Sequence, residues 1–196
     1  MSNEQSLTKD VYKEFLEGQF LILWFVQEKL DVFNYISDGY EDHKPILVNN
    51  SFLFFTAQVF SRSIIVELAA LFSDRNTNKS NFHKIYKAEE NKNQIKPDAC
   101  EKIKIILADC ASDIKTIERL RDKEYSHFDF ADKSGISLHF DHYDLMNKLY
   151  LVGKRILTIA STQRINPEKN FGFAFDTVKD SVESLHWLIE THSSNK

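Results

Sequence analysis

The segment SFLFFTAQVFSRSIIVELAALF, Ser51 to Phe72, constrains the fold more than any other part of the chain. It is apolar nearly all round, and Arg62 and Glu67 are its only charges. A surface helix shows one apolar stripe, whereas a helix without a polar face must be enclosed by other elements. The segment is therefore expected as the central helix of a bundle. Only five Gly and three Pro occur in 196 residues. Long runs with apolar residues at helical spacing complete the case for an all-α protein.

A first helix is expected from about Leu7 to Ile36. Phe15, Leu16, Leu23, Leu30 and Phe33 recur at helical spacing, and Ser37-Asp38-Gly39 reads as its stop. A short helix is expected from about Phe82 to Glu90. The next begins near Pro97 and Asp98, where Pro suits the first turn and Asp the positive end of the dipole, and runs to about Tyr125. Asp141 reads as the cap of a helix from about His142 to Gln163, and a last helix is expected from about Asp176 to Thr191. Short connections imply antiparallel neighbours. The expected architecture is one domain, residues 1–196, folded as an antiparallel bundle of about five main helices.

A chain of this length buries roughly 70% of its unfolded surface and needs neither metal nor disulfide to hold a core. Sixteen Phe argue for an aromatic core or an apolar interface. The net charge of −4 lacks the basic balance of a domain that grips nucleic acid by charge, so any RNA contact must be local. Cys100 and Cys110, ten residues apart on one expected helix, would lie about 15 Å apart, too far for a bridge within it. They read as small residues in a reducing compartment, the cytoplasm. The polar start MSNEQSLTKDVYKEF does not read as a signal peptide. FLILWFV (20–26) is too short to span a bilayer, and no membrane association is expected.

Ile103, Leu107, Cys110, Ile114 and Ile117 advance in 4-3-4-3 steps, a core-facing stripe. The next step lands on Arg121, a charge in a core-side position. Arg121 opens the run LRDKEYSHFD, residues 120 to 129. Taken from spacing alone, this is an ordinary charged helix end. Its chemistry suggests more. RNA carries its own nucleophile, the 2′-hydroxyl, and a His can move the protons while an Arg holds phosphate. On a straight helix Arg121 and His127 would stand about 120° and about 9 Å apart. They meet only if the helix breaks near Ser126 or a second chain completes the site.

The run LRDKEYSHFD resembles the signature of the HEPN superfamily: an Arg, a polar residue, then His a few positions on. ERLRDKEYSHFD is similar to the R-D-K-x-x-A-H-x-D run of the AbiU-like branch, tied to abortive infection against phage, and SRSIIVELAALFSDR (61–75) also resembles that branch. Ser126 stands where Ala is common. Asp129 stands where toxins of the HEPN–nucleotidyltransferase pairs often carry a Tyr, so silencing by modification at that position is not implied. The resemblance implies a metal-independent endoribonuclease acting on RNA without a cofactor. Arg121 and His127 would be catalytic, with Asp122, Lys123, Tyr125 and Asp129 in support. It further implies a homodimer whose seam completes the site, and an antitoxin or defence partner. Lys115, Arg119, Lys123 and Lys133 would supply a local basic patch. The alternative is a HEPN-like module that binds nucleotide or protein without cleaving; a third reading is a purely structural helical protein.

Two further groups stand out. HFDHYD (139–144) offers His139 and His142 with Asp141 and Asp144 at hand, but His139 precedes the expected helix and no third compelling ligand can be named, so no metal is expected. Arg62 and Glu67, five apart and not on one face, read as two separately satisfied polar groups; the sharper alternative is that Glu67 or Arg62 orients the Arg121 site from beneath. No Gly-rich phosphate loop or nucleophile elbow is present.

Overall fold

The computed structural model describes residues 10–42, 50–75, 81–126 and 142–175. Among them run α1 (Val11–Asp42), α2 (Ser51–Phe72), the short α3 (Lys84–Lys87) and α4 (Glu89–Lys92), α5 (Pro97–Asp109), α6 (Ala111–Ser126), α7 (Tyr143–Thr162) and a 3-10 turn at Pro167–Lys169. The protein is an all-α bundle. Among the described residues the only β pairing is one antiparallel bridge, Ile95 with Arg164. The helix expected at the C-terminus lies outside the described residues.

α1 starts later and ends later than its pattern suggests. Asp10 stands outside the helix and accepts a hydrogen bond from the Lys13 backbone N–H at 3.1 Å, so it is the cap. At the other end the helix runs through Ser37-Asp38-Gly39 to Asp42. A glycine inside a helix costs only about 1 kcal/mol relative to Ala, which does not force an end. Ser37 turns its hydroxyl back onto the Phe33 carbonyl at 2.8 Å, within the helix.

α1 and α7 lie antiparallel, and their register is explicit. The Tyr12 hydroxyl donates to the Ala160 carbonyl. Leu23 sits over Gly153, Gln27 bonds the Tyr150 hydroxyl, and Phe33 stacks on Tyr143 with centroids 6.3 Å apart. The close approach depends on Gly153, because a Cβ there would come within 2.9 Å of a buried Leu23 methyl. α5 also runs antiparallel to α7. Its start is tied by the Lys96 N–H to the Gln163 carbonyl, and the segment after it by the Lys148–Asp113 ion pair.

α2 packs on α1, α6 and α7 through Leu53, Ala57, Ile64, Ile65, Leu68, Leu71 and Phe72. It is central in its neighbours but not enclosed. Phe52, Phe55 and Val59, spaced i, i+3, i+7 on one face, are 70, 63 and 41% exposed. By length and composition alone this helix would also suffice to cross a bilayer; its buried side is core.

The helix expected to run unbroken from Pro97 is two helices. Cys110 leaves helical geometry at φ −97°, ψ 9°, and α6 restarts at Ala111. The stripe survives the break: Ile103, Leu107, Cys110, Ile114 and Ile117 are all buried. Cys100 and Cys110 are free thiols, and burial pushes both pKa values up.

After α7 the chain turns at Arg164, whose side chain is 1% exposed. Its guanidinium donates to both Asp10 carboxylate oxygens at 2.8 and 3.1 Å, to the Lys169 carbonyl and to the Gln94 side chain, and it lies over the Tyr12 ring. Beyond it, Phe171, Phe173 and Phe175 alternate along an extended stretch. Phe173 stacks on Phe20 of α1 at 4.6 Å, and Phe175 meets the same ring edge-on.

The Arg164 hydrogen bonds hold the Asp10 carboxyl below its ordinary range. Its stabilising contribution is therefore fully present above the unfolded value near pH 3.9 and is lost as pH falls through the folded value. Replacing Arg164 by Leu leaves the capping carboxylate without its cation, and is expected to cost about 3 kcal/mol in urea unfolding at pH 7. The variant should also lose that acid-side slope between pH 4 and pH 2 relative to wild type. An unchanged urea midpoint at pH 7 would contradict the assignment.

Candidate functional site

The helix that carries the site residues is α6. Its buried stripe continues to Arg121 as the 4-3 stepping requires, and the Arg121 side chain is only 15% exposed. Its Nε and Nη2 both donate to Asp122 Oδ1, at 3.0 and 2.7 Å. The other carboxylate oxygen, Oδ2, accepts from Arg75 Nη2 at 3.1 Å. The hydrogen bonds from Arg121 and then Arg75 hold the Asp122 carboxyl below the usual carboxylate range.

Arg75 reaches Asp122 because the end of α2 is pinned. Ser73 closes the helix in extended geometry with its N–H on the Ala69 carbonyl. The Phe82 N–H returns to the Leu71 carbonyl at 2.8 Å, and the Asn81 side-chain amide donates to the Arg75 carbonyl at 3.4 Å. His83 completes the clamp. Its Nε2 lies 3.1 Å from the Phe72 carbonyl, an acceptor only, so that nitrogen carries the hydrogen. Nδ1 is left to accept from the Tyr86 hydroxyl at 2.8 Å. Asp74 approaches the same nitrogen at 3.9 Å and pairs with Lys87.

Some expected site residues are brought together and others are not. Arg121 and Asp122 are in contact. Lys123 is exposed, and Tyr125 lies on the last turn of α6. His127 and Asp129 lie outside the described residues, as does Lys133. α6 runs as helix to Ser126, so no break intervenes between Arg121 and that residue. Lys115, Arg119 and Lys123 form an exposed row at i, i+4, i+8. That row lies about 160° round the helix from Arg121, with the Glu118 and Asp122 face between them. It is not the basic patch beside Arg121 that the sequence suggested. The neighbouring cation is Arg75, to which the sequence reading gave no role. No local signal marks it, because its partner lies 47 residues on.

Glu67 does not lie beneath Arg121. It pairs with Lys29 of α1 and accepts from Ser63, and Arg62 is on the exposed face of α2. This follows from α2 turning that side toward α1 rather than α6. His142 occupies the cap position before α7, while His139 and Asp141 lie outside the described residues. Among the described residues no three His, Cys, Asp or Glu side chains converge.

Burial lowers the His83 pKa from 6.5, and the Asp74 carboxylate opposes this more weakly. The unfolded chain thus takes up its proton first, and the clamp loses stability as pH falls from 6.5 through the folded value. A ring-proton NMR titration should give a His83 midpoint below 6.5; a midpoint above it would mean that Asp74 outweighs burial. No family model, no curated protein and no solved structure matches the chain.

Proposed function

We propose that the protein is a metal-independent endoribonuclease of the HEPN toxin or abortive-infection type. In this reading it acts in the cytoplasm as a homodimer, held in check by an antitoxin or released by a defence partner. The observation that supports it is Arg121: a guanidinium largely buried in the apolar stripe of α6, with its donors turned onto an acid. Arg is permanently charged, and its planar fork matches phosphate oxygens. Held this way, it is pre-positioned and gives up little side-chain freedom on binding.

The chemistry divides between Arg121 and His127. A base removes the proton of the 2′-hydroxyl, and the oxygen attacks the adjacent phosphorus. Arg121 stabilises the negative charge on the non-bridging oxygens. The bond from phosphorus to the 5′-oxygen breaks, and a proton is delivered to that leaving group. His127 serves one of the two proton transfers, worth about 10²- to 10⁴-fold. The partner subunit of a two-fold dimer would supply the other. Asp122, Lys123, Tyr125 and Asp129 support the pair.

The net charge of −4 and the engagement of Arg121 by Asp122 favour a second reading, a module that binds nucleotide or protein without cleaving. Incubation with RNA in EDTA separates them. The nuclease leaves 2′,3′-cyclic phosphate ends, and His127→Ala should reduce cleavage at least 10²-fold with unchanged circular dichroism. Equal cleavage by that variant would refute the mechanism; an inert wild-type protein with saturable nucleotide or partner binding would support the module.

A further inference from the structure

We infer that Arg75 and Arg121 form a two-arginine fork for one phosphodiester group, and that the Asp122 carboxylate occupies this fork until phosphate displaces it. The choice of ligand rests on the endoribonuclease reading; the fork itself rests on the geometry. A guanidinium from the segment after α2 and one from α6 meet the two oxygens of a single carboxylate, Arg75 on Oδ2 at 3.1 Å and Arg121 on Oδ1 at 2.7 Å. Guanidinium recognises carboxylate and phosphate through the same planar pairing of N–H donors with two acceptor oxygens. Donors converging on one carboxylate are therefore spaced for two non-bridging oxygens of one phosphate.

Three observations favour a binding fork over a structural staple. The Arg75 and Asp122 side chains are 57 and 52% exposed, so the pair contributes little to folding and is open to exchange. Neither arginine is placed by Asp122 alone. Arg75 is fixed through its backbone by Asn81 and by the clamp on the end of α2, and Arg121 by its burial. The formal charge of the trio is one positive, two guanidiniums against one carboxylate. The nearest acid on the α2 side, Asp74, is engaged by Lys87. This is a local cationic point on a chain that is negative overall, the condition under which such a protein can hold RNA at one phosphate.

The experiment uses the full chain and a fluorescent single-stranded oligonucleotide with 2′-O-methyl sugars, which cannot supply the nucleophile. Anisotropy is measured across a salt series. Arg75→Gln should weaken binding about tenfold, the loss of one charge-assisted contact. The slope of log affinity against log salt should also fall by about 0.7, the share of one phosphate contact on a single strand. Arg75→Lys should restore the slope but not the full affinity, since it returns the charge without the fork. Asp122→Asn should tighten binding several-fold, because it removes the internal competitor; a staple would give no gain. A wild-type protein that does not bind the probe overturns the fork. So does an Arg75→Gln variant with wild-type affinity and slope, or an Asp122→Asn variant that binds no better. Arg75-dependent binding by a protein that leaves unmodified RNA intact would overturn the nuclease reading and leave the fork standing.

Discussion

The Asp10 carboxylate has two tasks, and the bundle depends on its doing both. It caps α1 through the Lys13 N–H, and it receives the Arg164 guanidinium after α7. The same guanidinium reaches the Gln94 side chain ahead of α5 and the Lys169 carbonyl of the 3-10 turn. Four chain segments thus end on one buried cation. Burying a charge is favourable only when hydrogen bonds replace the lost water. Arg164 meets that condition with four hydrogen bonds and the Tyr12 ring. Geometry at this corner fixes where α1 begins and where α7 ends. Their antiparallel register from Tyr12–Ala160 to Phe33–Tyr143 follows from it.

At the end of the bundle carrying the candidate site, electrostatics has a different character. Arg164 is enclosed, with both terminal nitrogens engaged, whereas Arg75 and Asp122 are open to water. An ion pair of the first kind positions helices; one of the second kind is weak in water and exchangeable. The site therefore combines a rigid frame with a loose charge contact. The frame includes the His83 ring, held between the Phe72 carbonyl and the Tyr86 hydroxyl, which keeps the residues after α2 in place.

Much of this was legible along the chain. Periodicity located α1, α2, α7 and the buried stripe, because apolar residues spaced for one helix face are buried together whatever the helix packs against. The stripe also placed Arg121 on the core side. Helix ends were less legible. Gly39 did not stop α1, since a single glycine costs only about 1 kcal/mol inside a helix. The break at Cys110 was invisible, because a cysteine carries no break signal and the 4-3 stepping continues across it. The exposed apolar face of α2 was missed because composition shows that a helix is apolar but not how many neighbours surround it.

The sequence by itself determined the all-α class, the burial stripe through Ile103 to Ile117, and a charged run opening at Arg121, an arginine that takes the next position of that stripe. These depend on local spacing, which the helix repeat converts directly into position on a face. Only the tertiary structure decided that Arg75 stands beside Asp122 and that Glu67 serves Lys29 instead of Arg121. Those contacts join residues tens of positions apart. They are set by how helices cross, and no pattern within a single helix encodes that crossing.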